Sequence, residues 1–313
     1  MSTTLRLLLS LLCIICVDVH ATSYPISPRP LRKLVIESDA IIVGNVIKVY
    51  KKETPKKRKK NISYTNYSYA RIVISEVLQG NVYNDTIEIP FTPNMVCPAP
   101  ARYYEKTTVL VFLDVTQKGY TTHALSYGAK TLDSVGIKIY KSRILEMQDI
   151  LKISNSTSQK NETVEWLVKC SENPVTCWEG VFELSPGSDF MSSYSHDTDP
   201  TFGSYLNAAQ KAKLKEAFLS SLDFNYHDFG LSDLVYKENQ KEIDTVLLEK
   251  LKTLSPNKYW CAWDFMARLK HLNNSPEMEN LLKIQKELEF KHNNEIERKK
   301  VIDEFVSLVE KNH

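Results

Sequence analysis

The sequence predicts an α+β protein: a small antiparallel β-barrel in the N-terminal half, followed by an all-α domain of helical hairpins. Two observations carry that prediction. Between residues 40 and 139, β-branched runs alternate apolar with polar residues and are separated by Gly, Pro and Asn, the pattern of short strands. From residue 140 the apolar spacing changes to that of amphipathic helices.

The first segment is an address and not part of the fold. Arg6 supplies a positive start, residues 7–17 an apolar run too short to span a bilayer, and Ala21 a small residue before a polar continuation. An export signal of this kind, cleaved after Ala21, leaves a mature chain from Thr22, secreted or periplasmic. Residues 22–313 suffice for two domains. No later segment reaches the ~20 apolar residues of a transmembrane helix. Lys and Arg number 40 against 38 Asp and Glu, a net charge of +2. That is too little to point to nucleic acid or an anionic membrane as partner.

Residues 40–50 (AIIVGNVIKVY) form the first strand, and residues 69–78 the second, broken by Gln79-Gly80-Asn81. Residues 86–91 follow, and residues 107–113, apolar without alternation, suit a strand buried on both faces. Residues 119–125 and 137–140 complete the set. Five or more closely spaced strands fit a small barrel or sandwich.

A basic run at 51–60 lies between the first two strands and includes Lys56, Lys57, Arg58, Lys59 and Lys60. Like charges keep such a hairpin loop extended in solvent. As a site, the run suits an anionic ligand, such as a polyanionic glycan or an acidic lipid headgroup. The neighbouring tyrosines follow the basic residues and do not alternate with them, which argues against single-stranded nucleic acid.

The helical pattern begins at residues 141–151 and resumes at 161–169, with Asn161 as the expected N-cap. A loop rich in Ser, Asp, Pro and Gly, residues 185–203, marks a boundary. Helices are then expected at 207–222, 242–254, 259–272, 277–289 and 295–311, with Ser255-Pro256 and Ser275-Pro276 at starts. The resulting organisation is a signal peptide at 1–21, a barrel domain at 22–152, a helical connector and loop at 153–203, and a helical bundle at 204–313.

Four phrases carry a family resemblance: residues 37–46 (ESDAIIVGNV), 70–80 (ARIVISEVLQG), 93–97 (PNMVC) and 108–113 (TVLVFL). Together they resemble the netrin-like domain, the fold shared with tissue inhibitors of metalloproteinases, in the form found in exported bacterial proteins. The resemblance covers residues 31–151 and implies a five-stranded barrel of the oligonucleotide/oligosaccharide-binding (OB) type with flanking helices. Inhibitors of that family chelate the protease zinc through a cysteine at the mature N-terminus. The start expected here, Thr22-Ser-Tyr-Pro25, has none. A second cysteine of the family is replaced by Leu125-Ser-Tyr-Gly128. The resemblance therefore implies a binding scaffold and not a metalloproteinase inhibitor.

Four cysteines follow the signal: Cys97, Cys170, Cys177 and Cys261. In an exported protein they permit disulfides, and Cys170 with Cys177 is the expected pair, since Pro174 turns the short loop between them. His196, Asp197 and Asp199 are metal-ligating types, as is His227 further on, without a helical His pair or calcium-loop spacing. A cysteine nucleophile would be Cys97 or Cys261, with His123 or His227 as base, but Cys261 lies between Trp260 and Trp263 in an apolar stretch that suits a core. Trp260, Trp263, Phe265, Met266 and Leu269 recur at helical spacing and are expected to pack inside. Asp264, Glu277 and Glu279 have lysine neighbours and read as solvated faces. No nucleophile elbow, phosphate loop or dinucleotide fingerprint occurs, and no cofactor is expected.

The function expected is that of an exported binding protein without catalysis, whose barrel takes an extracytoplasmic protein or an anionic ligand. The alternatives are an envelope metal-dependent hydrolase using His196, Asp197 and Asp199, and a structural assembly component whose helices associate.

Overall fold

A six-stranded antiparallel sheet and a set of helices that follow it make up the computed structural model. It describes residues 27–51, 68–93, 99–188, 202–221, 224–289, 291 and 294–311. The chain divides into two compact units, one of residues 1–148 with 190–199 and one of residues 149–189 with 200–313.

In the first unit a short helix α1 (Leu31–Glu37) leads into strands β1 (Ala40–Tyr50), β2 (Ser68–Gln79), β3 (Thr86–Phe91), β4 (Thr108–Thr116), β5 (Gly119–Thr122) and β6 (Ala129–Thr131). Helix α2 (Ser134–Leu151) follows. The strands run in the order β3-β2-β1-β4-β5, with β6 paired to β4 beside β5. Ala40, Ile42, Val46, Ile72, Ile89 and Val111 meet in one core. Ile41, Leu110 and Phe112, which alternate to the other face, are also buried. Cover on that side comes from α1 and α2. Gln79 of β2 donates to the carbonyls of Val35 and Ser38 at 3.1 and 2.8 Å, and Gln148 of α2 donates to the Leu78 carbonyl at 3.1 Å. A strand sandwiched in this way has no reason to alternate, which is why β4 reads as an unbroken apolar run.

The hydrogen-bonded path is open. Strands β3 and β5 lie in contact but no ladder joins them. Pro90 removes a donor from β3, and β5 has only 4 residues. Residues 137–140, expected as a strand, belong instead to α2, whose amphipathic spacing reaches back to Ser134 and wins over their β-branched character. β6 has 3 residues and gives no period to detect.

The second unit contains α3 (Ser156–Ser171), α4 (Cys177–Leu184), α5 (Ala208–Ser220), α6 (His227–Lys252), α7 (Ala262–Leu269), α8 (Pro276–Glu289) and α9 (Glu295–Glu310). The segment expected as a connector, 153–203, contributes α3 and α4, which pack on α5 and α6 within this unit. The N-cap of α3 is Asn155, six residues before the expected Asn161: its Oδ1 accepts from the Ser158 amide at 2.9 Å. Asn207 opens α5 with a reciprocal capping box to Gln210. Helix α6 begins well before the expected residue 242 and breaks at Asn239, whose φ and ψ are −134° and 26°. Phe229, Val235, Leu247, Phe265, Met266 and Phe305 are buried in the centre. Trp260 is 47% exposed and stacks on Tyr226, so it is not the core residue its spacing predicts.

The expected Cys170–Cys177 disulfide is not formed: both are buried thiols. The turn between α3 and α4 closes through hydrogen bonds. Thr176 Oγ1 donates to the Cys170 carbonyl at 3.0 Å, and the Val175 amide donates to Asn173 Oδ1 at 3.0 Å. Among the described residues no helix is long and apolar enough to cross a membrane.

Candidate functional site

The open seam of the sheet encloses a groove of about 750 Å³. Along β3 the residues Ile87, Ile89 and Phe91 enter the core, so Thr86, Glu88 and Pro90 face outward and form one wall. The β4–β5 hairpin forms the other, through Lys118, Tyr120 and Thr121 among others. Tyr103 bridges the seam from within. Its ring meets Phe91 of β3 edge-on at 5.3 Å, and its hydroxyl lies 2.6 Å from Thr122 Oγ1 of β5. Burial pushes the Tyr103 phenol well above the usual range, so it stays neutral.

One end of the groove is built by the ladder itself. Tyr50, Tyr69 and Pro90 fall opposite one another on β1, β2 and β3, and the Tyr50 and Tyr69 rings stack at 6.0 Å. Arg71 donates to Glu88 Oε1 through Nη2 at 2.8 Å and Nε at 3.2 Å, and the Tyr50 hydroxyl donates to the same oxygen. Arg71 also lies over the Tyr50 ring at 5.5 Å, with Lys48 at 5.6 Å. The hydrogen bonds to Glu88 and then Tyr50 raise the Arg71 guanidinium above its ordinary value. Glu88 is thereby held and its charge balanced. What the groove presents is two tyrosine faces, threonine hydroxyls and the Lys118 ammonium: a surface for gripping, without a poised proton donor and acceptor pair.

The sequence-derived candidates fall as follows. Lys56, Lys57, Arg58, Lys59 and Lys60 lie outside the described residues, as do His196, Asp197, Asp199 and Cys97. The basic run nevertheless starts one residue past Tyr50, at the end of the strand that frames the groove. His123 has both ring nitrogens engaged, Nδ1 at 2.7 Å from Asp114 and Nε2 at 3.2 Å from Glu37, and Glu37 is tied in turn to Arg29 at 2.8 Å. That arrangement clamps the chain and leaves no nitrogen to serve as a base. Cys261 is fully buried, donates to the Lys258 carbonyl at 3.0 Å and has its thiol pushed up to about 12 by burial, the opposite of an activated nucleophile. Glu277 and Glu279 are exposed as expected. Asp264 is partly buried, and desolvation raises its pKa.

A second cavity, of about 450 Å³, opens beside Asp244 in the helical unit. The Asp244 carboxylate is already used by Tyr236 at 3.0 Å and His271 at 2.9 Å. Sequence reasoning missed Tyr50, Arg71, Glu88 and Tyr120. The available signal was Pro90 at the end of a run with polar outward positions, the mark of an edge strand. No family model matches the chain, and no curated protein matches it.

Proposed function

We propose that this protein is an exported binding protein whose sheet domain is a partly open, OB-type five-stranded barrel that takes its ligand at the seam. The order β3-β2-β1-β4-β5, with β3 beside β5 and Tyr103 filling the join, supports the barrel reading. The single observation that carries the function is the groove of about 750 Å³ between those two edges. Pockets of this size suit a small or extended ligand.

The ligand class is an extracytoplasmic protein segment or an anionic polymer. Tyr69 and Tyr120 offer rings for stacking, and Lys118 together with the run Lys56–Lys60 offers positive charge. The signal-like residues 1–21 support the export reading. Without a cysteine at residues 22–25, the zinc-chelating wedge of metalloproteinase inhibitors has no counterpart.

The test is retention of the full mature chain on an immobilised sulfated polysaccharide across a salt series. Retention is expected at low salt and falls with ionic strength. Lys118→Glu with Thr121→Glu abolishes it, as does replacing Lys56–Lys60 by serine, whereas Lys283→Glu on the helical unit does not. Equal retention of all variants, or none by the parent chain, refutes the anionic reading. Capture of a protein partner that the groove variants lose would then support the protein one.

A further inference from the structure

We propose that Cys177, His227 and Asp228 form a binding site for a zinc-class divalent cation in the helical unit. Cys177 is the first residue of α4, and His227 and Asp228 are the first two of α6. One ligating atom from each lies within 4.8 Å of the others, and His227 Nε2 stands 4.0 Å from Asp228 Oδ1. A tetrahedral zinc with ordinary bond lengths holds its ligands ~3.3–3.8 Å apart. The three groups therefore need to close by at most about 1–1.5 Å around an ion, within reach of rotamer adjustment.

The rest of the site fits the same chemistry. Asp228 is buried, with 3% of its side chain exposed, and its Oδ2 accepts from the Asn225 amide at 2.7 Å and Ser221 Oγ at 3.1 Å. Those two donors fix the carboxylate and turn its Oδ1 toward His227, the orienting role that outer hydrogen bonds play for metal ligands. A thiolate, a carboxylate and a neutral imidazole sum to two negative charges, which a divalent cation cancels. In a buried position that neutrality matters, because an uncompensated charge there is costly. The His227 side chain is 20% exposed, so the site has a way in and a coordination position for water or an added ligand. A cysteine thiol, with an ordinary pKa of about 8.5, is mainly protonated at neutral pH, whereas the metal takes the thiolate. Binding therefore exchanges the S–H bond for a sulfur–metal bond, and the proton leaves to solvent.

The chain-order signal was half visible: His227-Asp228 are adjacent, but Cys177 lies on another helix and only the fold brings it there. This inference does not depend on the seam groove. The site also differs from the segment holding His196, Asp197 and Asp199.

The test uses the full mature chain, stripped with chelator, then titrated with zinc by calorimetry and with cobalt(II) by absorption. Expected are one equivalent bound, about one proton released per ion, and a thiolate-to-cobalt charge-transfer band in the near ultraviolet. Cys177→Ser removes the band, and His227→Gln weakens zinc binding by roughly 100-fold. Cys261→Ser and His196→Ala leave both unchanged. Circular dichroism of the metal-free variants establishes that they fold; His227, at the helix start and partly exposed, tolerates replacement even if Cys177 does not. No binding, a band that survives Cys177→Ser, equal affinity in His227→Gln, or loss of binding in His196→Ala each overturns the assignment.

Discussion

The Tyr236 hydroxyl donates a 3.0 Å hydrogen bond to Asp244 Oδ1 across the break in α6 at Asn239. The other carboxylate oxygen meets His271 Nε2 at 2.9 Å, and His271 Nδ1 lies 2.8 Å from the Arg268 carbonyl. A carbonyl only accepts, so Nδ1 carries a proton. Asn239 compensates for the break by donating its side-chain amide to the Val235 carbonyl at 2.9 Å. The clasp thus joins both halves of a broken helix to the turn after α7. Removing the carboxylate takes away the acceptor that orients both groups and leaves the phenol and the imidazole Nε2, 3.2 Å apart, only each other. Asp244→Ala is therefore expected to cost ~2–3 kcal/mol, and Tyr236→Phe, which removes one donor and keeps the ring, ~1 kcal/mol. Urea unfolding measures both, and a smaller cost for Asp244→Ala than for Tyr236→Phe contradicts the clasp.

The same unit should weaken at alkaline pH. Burial, and then the hydrogen bond to Asp244, push Tyr236 from 10.0 up to about 12, and burial pushes Cys261 from 9.0 up to about 12. Both groups are neutral when protonated, so folding favours the protonated form. Their contribution is fully present below the unfolded values and is lost as pH rises toward 12. The urea midpoint should fall through that window, and Cys261→Ala should flatten the fall where it starts, near pH 9. A midpoint independent of pH between 9 and 11 speaks against burial of both groups.

How much of this was legible in the chain depends on range. β1 and β3 were readable to the residue, because β-branched runs bounded by breakers report local preference. Residues 137–140 misled, since Ile-Lys-Ile-Tyr suits a strand by itself and only α2 continuing past it makes it helix. Asn161 and Asn155 are both acceptable caps, and the choice between them rests on where α3 packs. The groove was not legible, because it depends on β3 and β5 meeting across the 27 residues of chain between Phe91 and Gly119. Cys170 and Cys177 show the limit of spacing arguments: proximity in sequence permits a bridge, and hydrogen bonds of the turn make it unnecessary.

Thiol chemistry follows from that correction. Cys170, Cys177 and Cys261 are buried thiols, so in the metal-free protein each should resist alkylation in native buffer and react after denaturation without added reductant. Peptide mass spectrometry checks this directly. A Cys170–Cys177 cross-linked peptide from unreduced protein would contradict the turn described above.

Gln285 on α8 is fully buried, and neither atom of its side-chain amide meets a hydrogen-bond partner among the described residues. Desolvating an unpaired amide costs ~1–3 kcal/mol. Methionine keeps nearly the same length without that cost and adapts to irregular packing. Gln285→Met is expected to stabilise the protein by ~1–3 kcal/mol in urea unfolding; destabilisation reveals a polar partner for the amide.

Gly180 tests a close helix–helix contact in the helical unit. It lies inside α4, where alanine by intrinsic preference would favour the helix by ~1 kcal/mol. A Cβ at this position, however, falls 2.3 Å from the Leu167 carbonyl oxygen and 2.4 Å from Ser171 Oγ, both on α3. The Ser171 hydroxyl can turn away, although it gives up its 2.9 Å bond to Leu167 in doing so. The carbonyl is backbone and cannot move without shifting the helix. Overpacking of this kind costs ~1–3 kcal/mol and outweighs the gain in propensity. Gly180→Ala should therefore destabilise, and adding Ser171→Gly should recover only part of the loss, because the backbone clash remains. A neutral or stabilising Gly180→Ala means that α3 and α4 stand further apart than this contact requires.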